Sequence, residues 1–175
     1  LEPVDLAVAQ MPTTFPYVPG LLTFRECPVL IAAMAKLSTP PDLILVDGQG
    51  IAHPRRIGLA THLGLLFGVP TIGCAKKRFI GTYDEPADEA GSYTDLIDNR
   101  VDPPELIGAV VRTRSHIKPM FISPGHSMDT PTAIDHVLAL SDGYRLPEPT
   151  RRAHQCAAGK TLEELRREFE RTANH

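Results

Sequence analysis

The sequence predicts an α/β protein with a mixed, largely parallel sheet flanked by helices. Aliphatic runs bounded by prolines and glycines alternate with longer segments of helical periodicity, as expected when helices cover both faces of a sheet. The clearest run, residues 43–46, leads into Asp47 and Gly48. A length of 175 residues predicts one domain, residues 1–175, with a substantial core.

Periodicity and turn residues assign the elements of the first half of the chain. In order, these are a strand at residues 4–9, a helix at 20–37, a strand at 43–46, a helix at 57–67 and a strand at 70–74. Pro28 is expected to break or kink the first helix, because proline lacks the amide hydrogen that an interior helical position uses. Gly68 is expected to end the second helix.

The second half contains a strand pair and three helical stretches. Residues 82–99, which are rich in Asp, Glu and Gly, are interpreted as a surface loop. The remaining elements are strands at 106–112 and 119–123, a helix at 127–140, a proline-rich connection at 145–150, a helical region opening near Thr150 and a last helix starting at Thr161.

Composition limits the classes of function. A formal charge of −3 excludes a polybasic nucleic-acid binder, so contacts with phosphates must come from local clusters or bound cations. Cys27, Cys74 and Cys156 lack metal-ligand spacing and are expected to be buried thiols of a cytoplasmic protein. No membrane-spanning stretch or signal peptide is predicted.

Asp47 is the strongest candidate for a functional residue. A carboxylate at the carboxyl end of a buried strand lies where open α/β sheets bind ligands, although it could also be only a helix cap. The following glycines allow a phosphate or base to approach closely. Upstream, Pro16, Tyr17, Val18 and Pro19 form a stiff segment, interpreted either as an apolar wedge or as a simple strand-to-helix connection.

Several further polar residues admit both a functional and an ordinary interpretation. Glu26 could be a ligand or a solvated helical residue. Lys76 belongs to a basic cluster after a strand, which could contact phosphate or only solvent. His154 lies beside two arginines and could be a proton-transfer group or a surface histidine. Residues 123–126 are interpreted as a structural turn rather than a phosphate contact.

Six segments together resemble the signature of the endonuclease V family. They are residues 16–22, 24–26, 46–55, 73–77, 123–126 and 149–154. The resemblance implies an RNase H-like fold and a magnesium-dependent nuclease, with Mn²⁺ as a substitute, that acts on DNA containing deoxyinosine or other deaminated bases. It also implies hydrolysis of the second phosphodiester bond 3′ to the lesion, leaving 3′-hydroxyl and 5′-phosphate ends. The protein is expected to be a monomer.

The same resemblance implies roles for individual residues. Glu26 and Asp47 match metal-binding carboxylates, His154 matches a late catalytic histidine, and Lys76 matches a lysine near the reacting phosphate. Tyr17 matches the aromatic of the strand-separating wedge formed by residues 16–19. The residues that match the pocket for the flipped base are Gly20, Leu22, Gly48, His53 and Gly58. These roles are chemically consistent, since Mg²⁺ prefers oxygen ligands and an extruded base needs a small polar pocket.

The sequence also departs from the family pattern. The family's first catalytic Asp lies on an upstream strand, and Asp5 is too close to the wedge to match it, so the chain is expected to lack the first one or two strands of the fold. Gln49 stands where a histidine is common, and the acidic segment 82–99 is peculiar to this chain.

Two alternatives to a DNA repair endonuclease remain open. One is another RNase H-like enzyme, such as a junction resolvase or an inosine-specific ribonuclease, which would act where 2′-hydroxyl groups are available. The other is a non-catalytic module that binds lesions, which loss of the upstream Asp would favour.

Overall fold

A computed structural model describes residues 1–173, so the last two residues of the predicted 1–175 domain lie outside the described residues. The strands are β1 (Ile44–Val46), β2 (Thr71–Ala75), β3 (Tyr93–Asp98), β4 (Glu105–Val111) and β5 (Met120–Pro124). The helices are α1 (Leu22–Met34), α2 (Leu59–Phe67), α3 (Thr130–Ala139), α4 (Glu148–Ala157) and α5 (Leu162–Ala173). None of the helices within residues 1–173 is long and apolar enough to cross a bilayer.

The five strands form one mixed sheet in the order β1-β2-β5-β4-β3. Only β1 and β2 are parallel, and the other three pairs are antiparallel. The predicted mixed sheet flanked by helices is confirmed, but the expectation of largely parallel strands is wrong. Residues 99–104 and 112–119 connect β3 to β4 and β4 to β5, and they are shorter than the crossover of about a dozen residues that a parallel pair requires.

Both faces of the sheet are covered. Ile72, Cys74 and Ile122 point to one face and pack with Ile134 and Val137 of α3. On the other face, a second buried cluster comprises Ala52, Ala75, Ile80, Leu96, Ile107, Val110 and Phe121. Helices α1 and α2 pack beside β1, around a third cluster that includes Val46 and Leu59. This third cluster supports the end of β1 where Asp47 follows.

Segment 82–99, predicted to be a surface loop, contains β3 at the edge of the sheet. The strand pairs with β4 from Tyr93 to Asp98 and buries Leu96 almost completely. An edge strand needs few apolar residues, because only part of its surface faces the core. The strand was therefore not recognised in the sequence, where Asp95 and Asp98 lie beside its buried leucine. The rest of the segment is irregular, as expected.

Two further predictions about the elements need correction. Residues 4–9, predicted to be a strand, pair with no strand among the described residues and have no regular secondary structure. Arg166 of α5 donates to the carbonyls of Pro3 and Val4, and Asp5 accepts hydrogen bonds from Ser38. Helix α4 begins at Glu148, within the predicted connection 145–150, because the first turn of a helix accepts a proline without losing a hydrogen bond. Pro28 lies inside α1 without ending it.

Candidate active site

Two neighbouring cavities share a wall that carries both predicted carboxylates. The first, here called the glycine cavity, has a volume of about 440 Å³ and is lined by residues including Gly20, Gly48 and Gly58. The second, here called the apolar cavity, has a volume of about 500 Å³ and lies between β1, α1, α2 and α4. Glu26 of α1, Asp47 after β1 and Leu59 of α2 line both cavities.

The negative charge of Asp47 acts on the carboxyl group of Glu26. Burial raises the pKa of Glu26, and the negative charge of Asp47 raises it further, with Arg25 acting in the opposite direction. A cation between the two groups would relieve this repulsion, because it favours the ionised form of both. Carboxylate oxygens are the ligands that Mg²⁺ takes, commonly one or two per site with water and phosphate completing the shell.

The pair therefore fits a divalent cation, although it is not a complete protein cage. Across residues 1–173, no three or more histidine, cysteine, aspartate or glutamate side chains are grouped so as to hold a metal ion. Lys76 approaches from the end of the neighbouring strand β2, and its Nζ donates to Asp47 Oδ2 at 2.5 Å. The parallel pairing of β1 with β2 explains this contact, because the carboxyl ends of both strands meet at the same edge.

His154 reaches the carboxylates from the other direction. It lies on α4 and lines the apolar cavity together with Glu26 and Asp47. The first turn of α4 is fixed by Glu148, which is buried and accepts hydrogen bonds from Arg151 and Arg152. The structure thus brings together all four residues predicted to be catalytic, Glu26, Asp47, Lys76 and His154. Their roles in catalysis stay predictions.

The loop after β1 takes its path because two glycines, Gly58 and Gly73, allow backbones to pass closely. A Cβ on Gly73 of β2 would lie 2.3 Å from the amide nitrogen of Gly50. A Cβ on Gly58 would lie 2.3 Å from the carbonyl oxygen of Gln49. Ser123 Oγ accepts the hydrogen bond from the amide of Gly50 at 2.8 Å. Ser123, near the end of β5, therefore supports this loop, and the interpretation of residues 123–126 as a structural turn stays a prediction.

His53 forms an inner wall of the glycine cavity. It is only 6% exposed, and its ring lies against Phe79 with the ring centres 5.3 Å apart. Burial lowers its pKa, the charge of Arg55 lowers it further, and the carbonyl of Gly20 partly opposes both. Nδ1 accepts a hydrogen bond from the amide of Arg55 at 3.2 Å, so the neutral ring carries its hydrogen on Nε2. The structure therefore places a neutral imidazole in the cavity wall, with its Nε2–H facing the carbonyl of Gly20.

The predicted wedge lies at the rim of the same cavity. Tyr17 is 69% exposed and lines the cavity with Pro19, Gly20 and Leu22. The segment is fixed at its end, because the amide of Leu21 donates to the carbonyl of Val18 at 2.9 Å. All five residues predicted for the base pocket line the glycine cavity, and of the wedge residues, Tyr17 and Pro19 do so.

Sequence reasoning did not identify every residue of the cavity as part of the pocket. Thr23, Gln49, Lys77, Arg78 and Phe79 also line it. Gln49 Nε2 donates to the carbonyl of Lys77 at 3.0 Å and so joins the loops after β1 and β2. No local pattern marks Phe79, whose position follows from the meeting of these two loops.

The fold and the strand-end site define a protein of the RNase H-like class. The family model described as Endonuclease V matches residues 1–155. A relative from Nostoc punctiforme, named Endonuclease V, is 52% identical over 160 residues, which cover 91% of this chain and 71% of the relative. The chain therefore belongs to the endonuclease V family, as the sequence motifs predicted.

Solved structures agree with this assignment. The endonuclease V of Streptomyces avermitilis is 45% identical with a TM-score of 0.75, and the match covers 93% of this chain and 66% of that chain. The endonuclease V of Ciona intestinalis, in complex with a 23mer DNA containing an inosine followed by a ribo-adenosine, is 27% identical with a TM-score of 0.72 and coverage of 90% and 70%. This chain thus spans about two thirds of the lengths of these proteins.

Proposed function

We propose that this protein is a DNA repair endonuclease of the cytoplasm. It would act as a monomer, bind deoxyinosine or another deaminated base, and hydrolyse the second phosphodiester bond 3′ to the lesion with Mg²⁺ or Mn²⁺. One observation carries the proposal above others. The glycine cavity is open to a ligand at the rim formed by Tyr17 and is bounded by the carboxylates of Glu26 and Asp47 at its wall.

Base recognition would take place in the glycine cavity. A base inside a duplex must leave the stack before a pocket can enclose it, at a cost of a few kcal/mol. The exposed ring of Tyr17 would fill the resulting gap and offset part of this cost. The neutral ring of His53 would form one side of the pocket, and the glycines would allow the base to lie against backbone atoms.

Hydrolysis would take place at the shared wall. Glu26 and Asp47 would hold the divalent cation, which supplies activation of a water molecule and charge compensation on the phosphate. His154 would accept a proton from the attacking water on the side of the apolar cavity. Lys76, already in contact with Asp47, would stabilise negative charge on the reacting phosphate.

The test is single-turnover cleavage by the full natural protein. End-labelled duplexes would carry inosine, the matched adenine, or inosine followed by a ribo-adenosine, and each would be measured with Mg²⁺, Mn²⁺ or a chelator. We expect a metal-dependent nick at the second bond 3′ to inosine and none in the adenine control. Asp47→Asn should remove cleavage and keep binding.

Other outcomes would replace the proposal with a different function. Cleavage confined to substrates with a ribonucleotide would indicate an inosine-specific ribonuclease. Binding of inosine duplexes without cleavage under any metal condition would indicate a lesion-binding module. Equal cleavage of the adenine and inosine duplexes would remove lesion recognition from the function.

A further inference from the structure

Arg56 has a backbone conformation that an arginine rarely adopts. Its φ is 57°, in the left-handed region, which is uncommon for residues other than glycine because Cβ approaches the following carbonyl. This conformation closes the turn after His53, since the amide of Arg56 donates to the carbonyl of His53 at 2.9 Å. Such a conformation persists only where surrounding contacts hold it.

The side chain of Arg56 supplies those contacts. Nη1 donates to the carbonyl of His53 at 3.1 Å, so this carbonyl receives two hydrogen bonds from one residue. Nη2 donates to Asp98 Oδ2 at 2.7 Å, and Nε donates to Glu105 Oε2 at 2.9 Å. The guanidinium thus connects the inner wall of the glycine cavity to the end of β3 and the start of β4.

Asp98 is a fixed anchor for this connection. It is 1% exposed and accepts two further hydrogen bonds from the guanidinium of Arg100, through Nε and Nη2. Those bonds, with the one from Arg56, hold the pKa of Asp98 far below its usual range despite the opposing effect of burial. The carboxylate is therefore charged at any pH at which the protein would act.

We propose that Arg56 and Asp98, together called the Arg56–Asp98 bridge, are positioning residues that fix His53 for reading the base. The inference rests on the proposed function of the glycine cavity and adds Asp98, the last residue of the edge strand β3, to the recognition apparatus. By holding the carbonyl group of His53, the bridge restricts rotation of the backbone at this residue, from which the imidazole projects. The ring is then kept against Phe79 with Nε2 directed toward the cavity side occupied by Gly20.

The bridge is not required to hold β3 in the sheet. That strand pairs with β4 from Tyr93 to Asp98, and the chain before it pairs at Thr82 with Ile97. Arg100 would still neutralise Asp98 if Arg56 were removed. A buried ion pair is in general weak evidence for stability, because desolvation offsets much of the attraction. Loss of the Arg56–Asp98 bridge is therefore expected to affect base recognition more than folding.

The test uses Arg56→Gly and Asp98→Asn in the full natural protein. Glycine adopts a positive φ without strain, so Arg56→Gly removes the guanidinium and preserves the turn. We expect both variants to lose about tenfold or more in affinity for an inosine duplex relative to an adenine duplex. The single-turnover rate at saturating protein should change little. Asp95→Asn, an exposed carboxylate on the same strand, should behave as wild type.

A duplex with an abasic site separates positioning from general damage. It retains the backbone and wedge contacts and lacks the base, so its affinity should be nearly the same for Arg56→Gly and wild type. Equal losses on abasic and inosine duplexes, or wild-type discrimination by Arg56→Gly, would overturn the bridge as a positioning device. If circular dichroism shows that Asp98→Asn is unfolded, the proposal is tested by Arg56→Gly alone. Absence of inosine preference in the wild type would instead refute the proposed function.

Discussion

Gly58 offers a direct test of the packing that shapes the glycine cavity. It precedes α2 as its N-cap residue, and its amide donates to the carbonyl of Gly50 at 3.0 Å. An alanine Cβ would lie 2.3 Å from the carbonyl oxygen of Gln49 and 2.6 Å from that of Gly50. Both obstacles are backbone atoms, which cannot rotate aside as a side chain can. Gly58→Ala must therefore displace the loop after β1.

The expected size of the effect follows from this overlap. Adding a carbon to a tightly packed site typically costs about 1–3 kcal/mol. A domain of this size loses about 2–4 °C in melting temperature for each kcal/mol, so Gly58→Ala should lower Tm by about 2–12 °C. Gly48→Ala is a matched control for stability, because its Cβ would lie 3.5 Å from Leu59 Cβ, in ordinary contact. Its Tm should change by no more than about 2 °C.

Two measurements decide the outcome. Thermal unfolding followed by circular dichroism gives Tm, and fluorescence anisotropy with an inosine duplex gives affinity. Gly58→Ala should lower both, because the displaced loop carries Gly48 and His53 of the same cavity. An unchanged Tm together with unchanged affinity would show that the close backbone approach does not shape the pocket.

Three further predictions concern the site. Tyr17→Ala should weaken binding to inosine duplexes more than to inosine single strands, because only duplexes must be unstacked; equal loss on both would mean that the tyrosine is merely structural. His154→Ala should slow single-turnover cleavage by about 10²–10⁴-fold with little change in lesion affinity. Lys76→Ala should slow cleavage and also weaken the contact with phosphate. Cleavage by His154→Ala at the wild-type rate would show that His154 takes no part in the mechanism. Burial lowers the pKa of His53, so below about pH 6.5 the unfolded chain binds more protons than the folded protein and the free energy of unfolding falls as pH decreases. Urea unfolding at several pH values should show a weaker pH dependence of this free energy for His53→Gln than for the wild type. The same pH dependence in both proteins would contradict the prediction.

The elements that sequence reasoning identified are those with a strong local pattern. The short runs of β1, which is partly buried, and β2, which is fully buried, lie between turn residues and were recognised from that local pattern. β3 was missed because Leu96 is the one almost fully buried aliphatic residue of that strand. At the site, Asp47 and Lys76 were placed by motif and by strand ends. The Arg56–Asp98 contact joins residues 42 positions apart, and no local periodicity encodes such a pair.

The attachment points of the site have a consequence for how its specificity could change. Asp47 follows β1 directly, and Lys76 follows β2 directly, so ladder hydrogen bonds determine where these charges lie. Much of the glycine cavity is instead built from irregular segments, such as those holding Tyr17, His53 and Phe79. Exchange of these segments should therefore retune base preference while the reactive charges stay in place, which makes recognition and chemistry separately evolvable.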